Sequence, residues 1–344
     1  MKTKFFGAMA ASALALTLGA GSAMAQEVTL KLHQFLPAQA NVPKLVLDVW
    51  ADAVEKDSGG KIKVERYASM QLGGKPPELM DQAIDGVADV VWTVVGYTPG
   101  RFPQTEVFEL PFMTQGAGPA SCAYWKMFES HMKDADFKDV HIIGTWVHGP
   151  GLIHANKEIR TPTDLDGVKI RGGSRVVNQL LEKLGATPVG MPVPAVSEAL
   201  SKGVIDATTI PWEVTASLKV PELVKNHTEF TGGALYNITF VLAMNKAKYD
   251  GLSAEAKAAI DAHSGLDFSI FAGKTQEGAD GPAREAAVAL GNNIVTLTEA
   301  ETQIWRDTAQ PIYASWIADM QTKGIDGAAL IKDCLLYTSP SPRD

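Results

Sequence analysis

The stretch that decides the fold runs from Asp164 to Glu213, DLDGVKIRGGSRVVNQLLEKLGATPVGMPVPAVSEALSKGVIDATTIPWE. It opens with the Asp166-Gly167 turn, enters a short apolar strand through Val168 and Ile170, and puts Arg171 where that strand ends in Gly172-Gly173. Val176, Val177, Leu180, Leu181 and Leu184 then recur on one side of a helix from Ser174 to Leu184. Thr187 to Met191 reads as a short strand, Val196 to Lys202 as a short helix stopped by Gly203, and Val204 to Ile210 as another strand, closed by Pro211-Trp212-Glu213. Strands and helices alternating at this pace specify an α/β unit with a parallel sheet. Arg171 sits at a strand end, beside backbone that a ligand can approach closely. Its planar fork donates two parallel hydrogen bonds and stays charged at any working pH, which suits it to hold a carboxylate. The spacing alone also accommodates a surface arginine at a loop mouth.

A second α/β run precedes this one. Val28 to Phe35 alternates as a first strand, Asn41-Val42-Pro43 starts a helix that Ser58-Gly59-Gly60 stops, and Lys61 to Tyr67 is a second strand. A helix from Pro76 to Ile84 leads to Ala88–Val95, a nearly continuous apolar strand of the kind buried on both faces. Ligands of open α/β sheets sit beyond the carboxyl ends of strands, so Trp92 and Tyr97 are candidates for a pocket wall, with ordinary core packing the other account of Trp92. After a helix around Ala120 to Met132 come the strands Val140–Val147 and Gly151–Asn156. The two runs, about Gln26 to Ser121 and Val140 to Leu235, are each the size of one lobe. A strand-like return from Leu235 to Asn245 follows. Then one helical pattern extends from Ser253 towards Leu290, interrupted only by glycines and Pro282, which accommodates either one long helix or a kinked or divided one, and Thr298 to Ile331 is helical with a break at Pro311.

At 344 residues, with 46% hydrophobic and 20% charged residues, the chain has a globular composition long enough for two domains. A formal net charge of −8 and a pI of about 5.4 argue against a nucleic-acid partner, which needs a basic excess. One focused arginine can still serve a small anion. Residues 1–25 read as a secretory signal peptide: Lys2 and Lys4, an apolar run from Phe5 to Leu18, and a cleavage site at Ala23-Met24-Ala25. The mature chain is expected to start near Gln26 and to be exported. At the other end, CLLYTSPSPRD, Cys334 to Asp344, resembles a translated adapter oligonucleotide and is expected to be an artefactual tail. Cys122 then remains as a lone thiol beside Tyr124 and Trp125; with Cys334 counted, one disulfide stays open.

His141, His148 and His154 are spaced by seven and six, which fits no zinc pattern, and no thiolate or carboxylate cluster accompanies them. They read as scattered polar histidines, and no metal or cofactor is expected. A secreted enzyme is disfavoured too: there is no G-x-S-x-G elbow, H-E-x-x-H pair or phosphate loop, and Glu213 alone is not a catalytic constellation.

QLGG (Gln71 to Gly74), the G-x-x-D of Gly86 to Asp89, ELPF (Glu109 to Phe112), TPTDLDGVKIR (Thr161 to Arg171) and KGVIDA (Lys202 to Ala207) are individually weak. In this order, behind a signal peptide and before one very long helical pattern, they make the chain similar to the periplasmic solute-binding subunits of TRAP (tripartite ATP-independent periplasmic) transporters, the DctP-like group. The resemblance implies an α/β, two-lobe periplasmic binding protein fold with a long helix spanning both lobes, closing on an organic acid that is passed to membrane permease subunits. Residues 26–139 would supply mainly lobe 1, 140–235 mainly lobe 2, and 236–333 a hinge strand, the spanning helix and C-terminal helices. Arg171 matches the family arginine that pairs with the ligand carboxylate, and Lys157 falls where many members carry a second basic residue. Positions that are polar in sugar-acid binders are here Phe35, Val94 and Ile210, with Trp92, Trp146, Trp212 and Tyr236 nearby and Glu213 as an acceptor for a ligand hydroxyl. This lining suits a monocarboxylate with a hydrophobic or aromatic body. The binding protein of an ATP-driven importer shares the two-lobe plan; the long helical pattern and the context of Arg171 favour the TRAP type.

Overall fold

Eleven strands build two sheets in a computed structural model that describes residues 28–338. In chain order they are β1 (Val28–His33), β2 (Ile62–Tyr67), β3 (Val90–Val94), β4 (Val140–Val147), β5 (Leu152–Ala155), β6 (Lys169–Gly172), β7 (Thr187–Gly190), β8 (Ala207–Ile210), β9 (Asn226–Glu229), β10 (Thr239–Asn245) and β11 (Asn293–Thr296). The first sheet has the order β2-β1-β3-β10-β4, and the second β11-β9-β5-β8-β6-β7. In the first, β1 runs parallel to β2 and β3, and β10 runs antiparallel to β3 and β4. All five residues of β3 are buried, as its nearly continuous apolar sequence requires of a strand covered on both faces. The second sheet keeps β6 parallel to β7 and β8 and inserts β5 antiparallel between β8 and β9.

Each sheet is the core of one lobe, and the chain passes between the lobes more than once. The first passage is His148–Gly151, between β4 and β5; the second precedes β10. The two are stitched together, since Gly151 N–H donates to the Tyr236 carbonyl at 3.0 Å and Asn237 Nδ2 donates to the carbonyls of His148 and Gly149 at 2.6 and 3.2 Å. The boundary expected near residue 140 is therefore displaced: β4 belongs to the first sheet, held by its register with β10 from Thr239–Val147 to Asn245–Val140.

The helical pattern after Ser253 is divided. It forms helices Ala254–Asp261, Leu266–Gly278 and Asp280–Ala289. Gly265, at φ +90°, supplies the first break, in a conformation that side chains disfavour. The second falls at Ala279, because Pro282 lacks an N–H and its ring crowds the carbonyl four residues back. The last two segments continue end to end. Leu266–Gly278 packs on helix Ala117–Met127 and β4 of the first lobe, and Asp280–Ala289 on the turn Trp212–Thr215 of the second, so the run spans both.

The terminal helices are Glu299–Ala309, Pro311–Thr322 and Gly327–Thr338, broken at Pro311 as the sequence predicts. The last runs through Asp333 without interruption and buries Cys334, whose thiol is pushed up to about 12 by desolvation. Cys122 is half-buried, and both cysteines are free. The expected signal peptide, like residues 339–344, lies outside the described residues. Among the described residues no helix is long and apolar enough to cross a membrane.

Candidate functional site

The carboxyl ends of β1, β3, β6 and β8 converge on one cavity between the lobes. Phe35, Leu36, Trp92, Val94, Tyr97, Ile238 and Phe240 line it from one side, and Arg171, Gly173, Val193, Ile210, Pro211, Glu213 and Val214 from the other. His148 and Tyr236, on the two inter-lobe passages, and Gln276, on the spanning helix, complete the wall. These side chains surround a cavity of about 410 Å³. The cavity forms a slot between the two lobes with a largely apolar, aromatic lining. Its aromatic wall is pre-stacked: Trp92 lies on Phe35 at 4.4 Å between centroids and on Phe240 at 5.6 Å.

Arg171 is 3% exposed at the end of β6. Its guanidinium is held by carbonyls: Nε donates to Met191 O at 2.9 Å and Nη1 to Thr209 O at 3.1 Å, while Thr209 Oγ1 donates back to Arg171 O at 3.1 Å. A Cβ on Gly173 would come within 3.1–3.3 Å of the guanidinium atoms, so glycine there lets the fork lie against the chain. Among the described residues no carboxylate pairs with Arg171. A buried cation without an anion is costly, and a ligand carboxylate would complete it.

Two buried polar groups at the cavity are also unpartnered: the Tyr236 hydroxyl and His148 Nε2. Tyr97 differs, since its hydroxyl accepts from Val193 N–H at 2.8 Å and so ties the two sides of the slot together. Glu213, buried beneath the slot, accepts from Gln276 Nε2 at 2.6 Å, and Gln276 Oε1 accepts from Trp146 Nε1 at 2.8 Å. Desolvation pushes the Glu213 carboxyl up to about 7.

Beside it, at the break in the spanning helix, Asp280 accepts from Glu213 N–H at 2.7 Å, and burial pushes its carboxyl up to about 8. Asp280 therefore contributes stability that is full below its ordinary value of 3.8 and is lost as pH rises through about 8. Asp280→Asn removes this loss. Its melting temperature should gain on the parent from pH 5 to pH 8, by about 4 °C or more, and hold that lead above pH 8. A constant difference across the range would exclude the assignment.

The structure brings Arg171, Phe35, Trp92, Ile210, Tyr236 and Glu213 to one cavity, with Val94. Three expected residues are elsewhere. Lys157 is exposed, because β5 ends at Ala155 and the chain turns outward; its charge serves Asp164, whose carboxyl is held low chiefly by the Thr161 and Arg160 N–H groups. Trp212 points away from the slot, under Ala283 and Ala287, and its indole N–H donates to Glu229 at 2.9 Å. Trp146 stands one layer behind Trp92, parallel to it at 6.4 Å, and supports the slot without lining it.

The histidines depart furthest from expectation. They read as scattered polar residues, but His148 and His154 are buried, and His154 Nδ1 meets His227 Nδ1 at 2.7 Å across the β5–β9 pair. Among the described residues no cluster of His, Cys, Asp or Glu is arranged to hold a metal.

Residues 34–319 match the family model described as bacterial extracellular solute-binding protein, family 7. Among solved structures, a TRAP solute-binding protein from Rhodoferax ferrireducens T118, in complex with copurified benzoate, is 47% identical with a TM-score of 0.89, over 90% of this chain and 97% of that one. A marine metagenome TRAP protein specific for aromatic acid ligands, co-crystallised with 3-hydroxybenzoate, is 45% identical with a TM-score of 0.89, over 91% and 98%. The ectoine/5-hydroxyectoine-binding periplasmic protein UehA of Ruegeria pomeroyi is 26% identical over 95% of this chain and 94% of its own length.

Proposed function

The chain belongs to family 7 of the bacterial extracellular solute-binding proteins, and from that premise we propose that its inter-lobe slot captures a flat aromatic monocarboxylate. It is the organic-acid receptor of a TRAP transporter, whose membrane permease subunits take the ligand onward. One observation carries the choice of ligand: a buried arginine without an anion faces a slot walled by stacked aromatic rings. Arg171 takes the carboxylate on its free edge, the Tyr236 hydroxyl adds a second donor, and Phe35 and Trp92 flank the ring with Ile210. Arg171 is the one permanent cation among the lining residues. A dicarboxylate would leave its second charge in an apolar wall near Glu213, and a sugar acid would leave its hydroxyls unpaired there.

The protein acts by binding rather than catalysis, in the periplasm, after export through the leader at residues 1–25. The relatives named above as aromatic-acid binders, each close to half identical to this chain, support the ligand class. Only a ligand that prefers the closed arrangement drives closure, so contacts from both lobes are the functional requirement.

A thermal-shift panel on the mature chain tests the reading. Benzoate-like acids at about a hundredfold excess over Kd should add about 2.7 kcal/mol, roughly 5 °C or more, with little response to C4-dicarboxylates or sugar acids. Stabilisation by sugar acids with none by aromatic acids would overturn it.

A further inference from the structure

We propose that His148 reads a hydroxyl group on the ligand, so that the receptor selects hydroxylated aromatic acids over the unsubstituted acid. The inference rests on the aromatic-acid reading above and adds a residue that reading does not use. His148 follows β4 on the first inter-lobe passage, is 2% exposed, and lines the slot beside Tyr236 and Phe240, its ring edge-on to both at 5.6 and 6.1 Å. Its Nδ1 lies 2.5 Å from the Gly149 carbonyl. A carbonyl only accepts, so Nδ1 must carry the proton. Desolvation, opposed in part by that hydrogen bond and reinforced by the nearby Arg171 charge, lowers the imidazole to about 4 and keeps it neutral. Nε2 is then a bare lone pair, an acceptor with no hydrogen-bond partner among the described residues.

A buried acceptor left unpaired costs about 1–3 kcal/mol, and a ligand that supplies a donor recovers part of it. A carboxylate cannot do this, because it has no proton to give and would repel the lone pair. An ammonium group would be forced into the field of Arg171. A neutral hydroxyl satisfies Nε2 without either penalty. Glu213 also accepts at the slot, but its Oε1 is engaged by Gln276; the Tyr236 hydroxyl is free to donate to the ligand carboxylate, whereas a neutral His148 with its proton on Nδ1 can only accept at Nε2.

The test is calorimetric titration of the parent and His148→Phe with benzoate, the three monohydroxybenzoates and the matching methoxybenzoates. A methoxy group keeps the oxygen and removes the donor. At least one hydroxybenzoate should bind the parent roughly five- to tenfold tighter than benzoate, and its methoxy counterpart should not. In His148→Phe the ratio of hydroxybenzoate to benzoate affinity should fall to about one, and that ratio, rather than either affinity alone, is the readout. Benzoate binding the parent at least as tightly as all three hydroxybenzoates would overturn the proposal, and this comparison does not depend on the variant folding. A hydroxyl gain that survives in His148→Phe would overturn it as well. Failure of every aromatic acid to bind the parent would instead remove the aromatic-acid reading and this inference with it.

Discussion

Arg171→Ala is expected to lower affinity for an aromatic monocarboxylate by two to more than three orders of magnitude, because removing one partner of a buried ion pair costs about 3–5 kcal/mol. The loss arises in the complex. Without the guanidinium, the ligand carboxylate enters a dry slot with no other permanent cation among its lining residues. The ligand-free variant should melt no lower than the parent, since the parent buries a cation that the neutral carbonyls of Met191 and Thr209 hold without an anion. Arg171→Lys should recover little. A lysine cannot donate to both carbonyls and still present a fork to the ligand. Calorimetry on the variants decides this, and an affinity loss below about tenfold for Arg171→Ala, about 1.4 kcal/mol, would refute the anchor.

Arg175→Ala should have the largest effect on stability, about 2–4 kcal/mol and roughly 5 °C or more in melting temperature, for a different reason. Arg175 opens the helix Arg175–Lys183 after β6 and reaches two other segments. Its Nε and Nη2 donate to Glu106 at 3.0 and 2.5 Å, Nη1 donates to Asp319 at 2.7 Å, and Trp316 Nε1 also donates to Glu106 at 3.0 Å. The Glu106 side chain is 8% exposed, so losing Arg175 strands a buried carboxylate. The pair joins the two α/β units through the C-terminal helix Pro311–Thr322. Arg175→Gln, which can still donate one hydrogen bond, should fall between the two. A melting temperature within about 1 °C of the parent would mean that solvent compensates Glu106 fully.

The segments legible in the sequence were those in which local pattern and tertiary role agree. β3 and the strand before Arg171 are apolar because they are central, and Pro282 and Gly265 break helices for local steric reasons. The strands at Asn226–Glu229 and Asn293–Thr296 were not legible. Their sequences, NHTE and NIVT, carry little or no apolar alternation, and they form because β5 and each other supply partners from far along the chain.

The site divided in the same way. Arg171, Phe35, Trp92 and Ile210 stand at or near strand ends, where position along the chain implies position in space. Lys157 stands just past a strand end too, but the turn after Ala155 sends it outward. Trp212 and Trp146 are the right chemical type one step from the slot, and a residue type does not reveal which face a side chain takes. Gln276 lies on the spanning helix, over a hundred residues from β4, and nothing near it in sequence marks it as a wall residue. His148 read as a scattered polar residue because its burial comes from the crossing of two inter-lobe passages, which only the assembled fold creates.

The central claim is that one buried arginine and an aromatic slot select a monocarboxylate with a planar ring. Calorimetric titration of the mature chain with benzoate, benzamide and succinate tests it most directly. Benzamide keeps the ring without the charge, and succinate keeps the charge, doubled, without the ring. Benzoate should bind at least about a hundredfold tighter than either, because each competitor leaves the guanidinium or the aromatic wall without its partner. Succinate binding as tightly as benzoate, or benzamide matching it, would contradict the account.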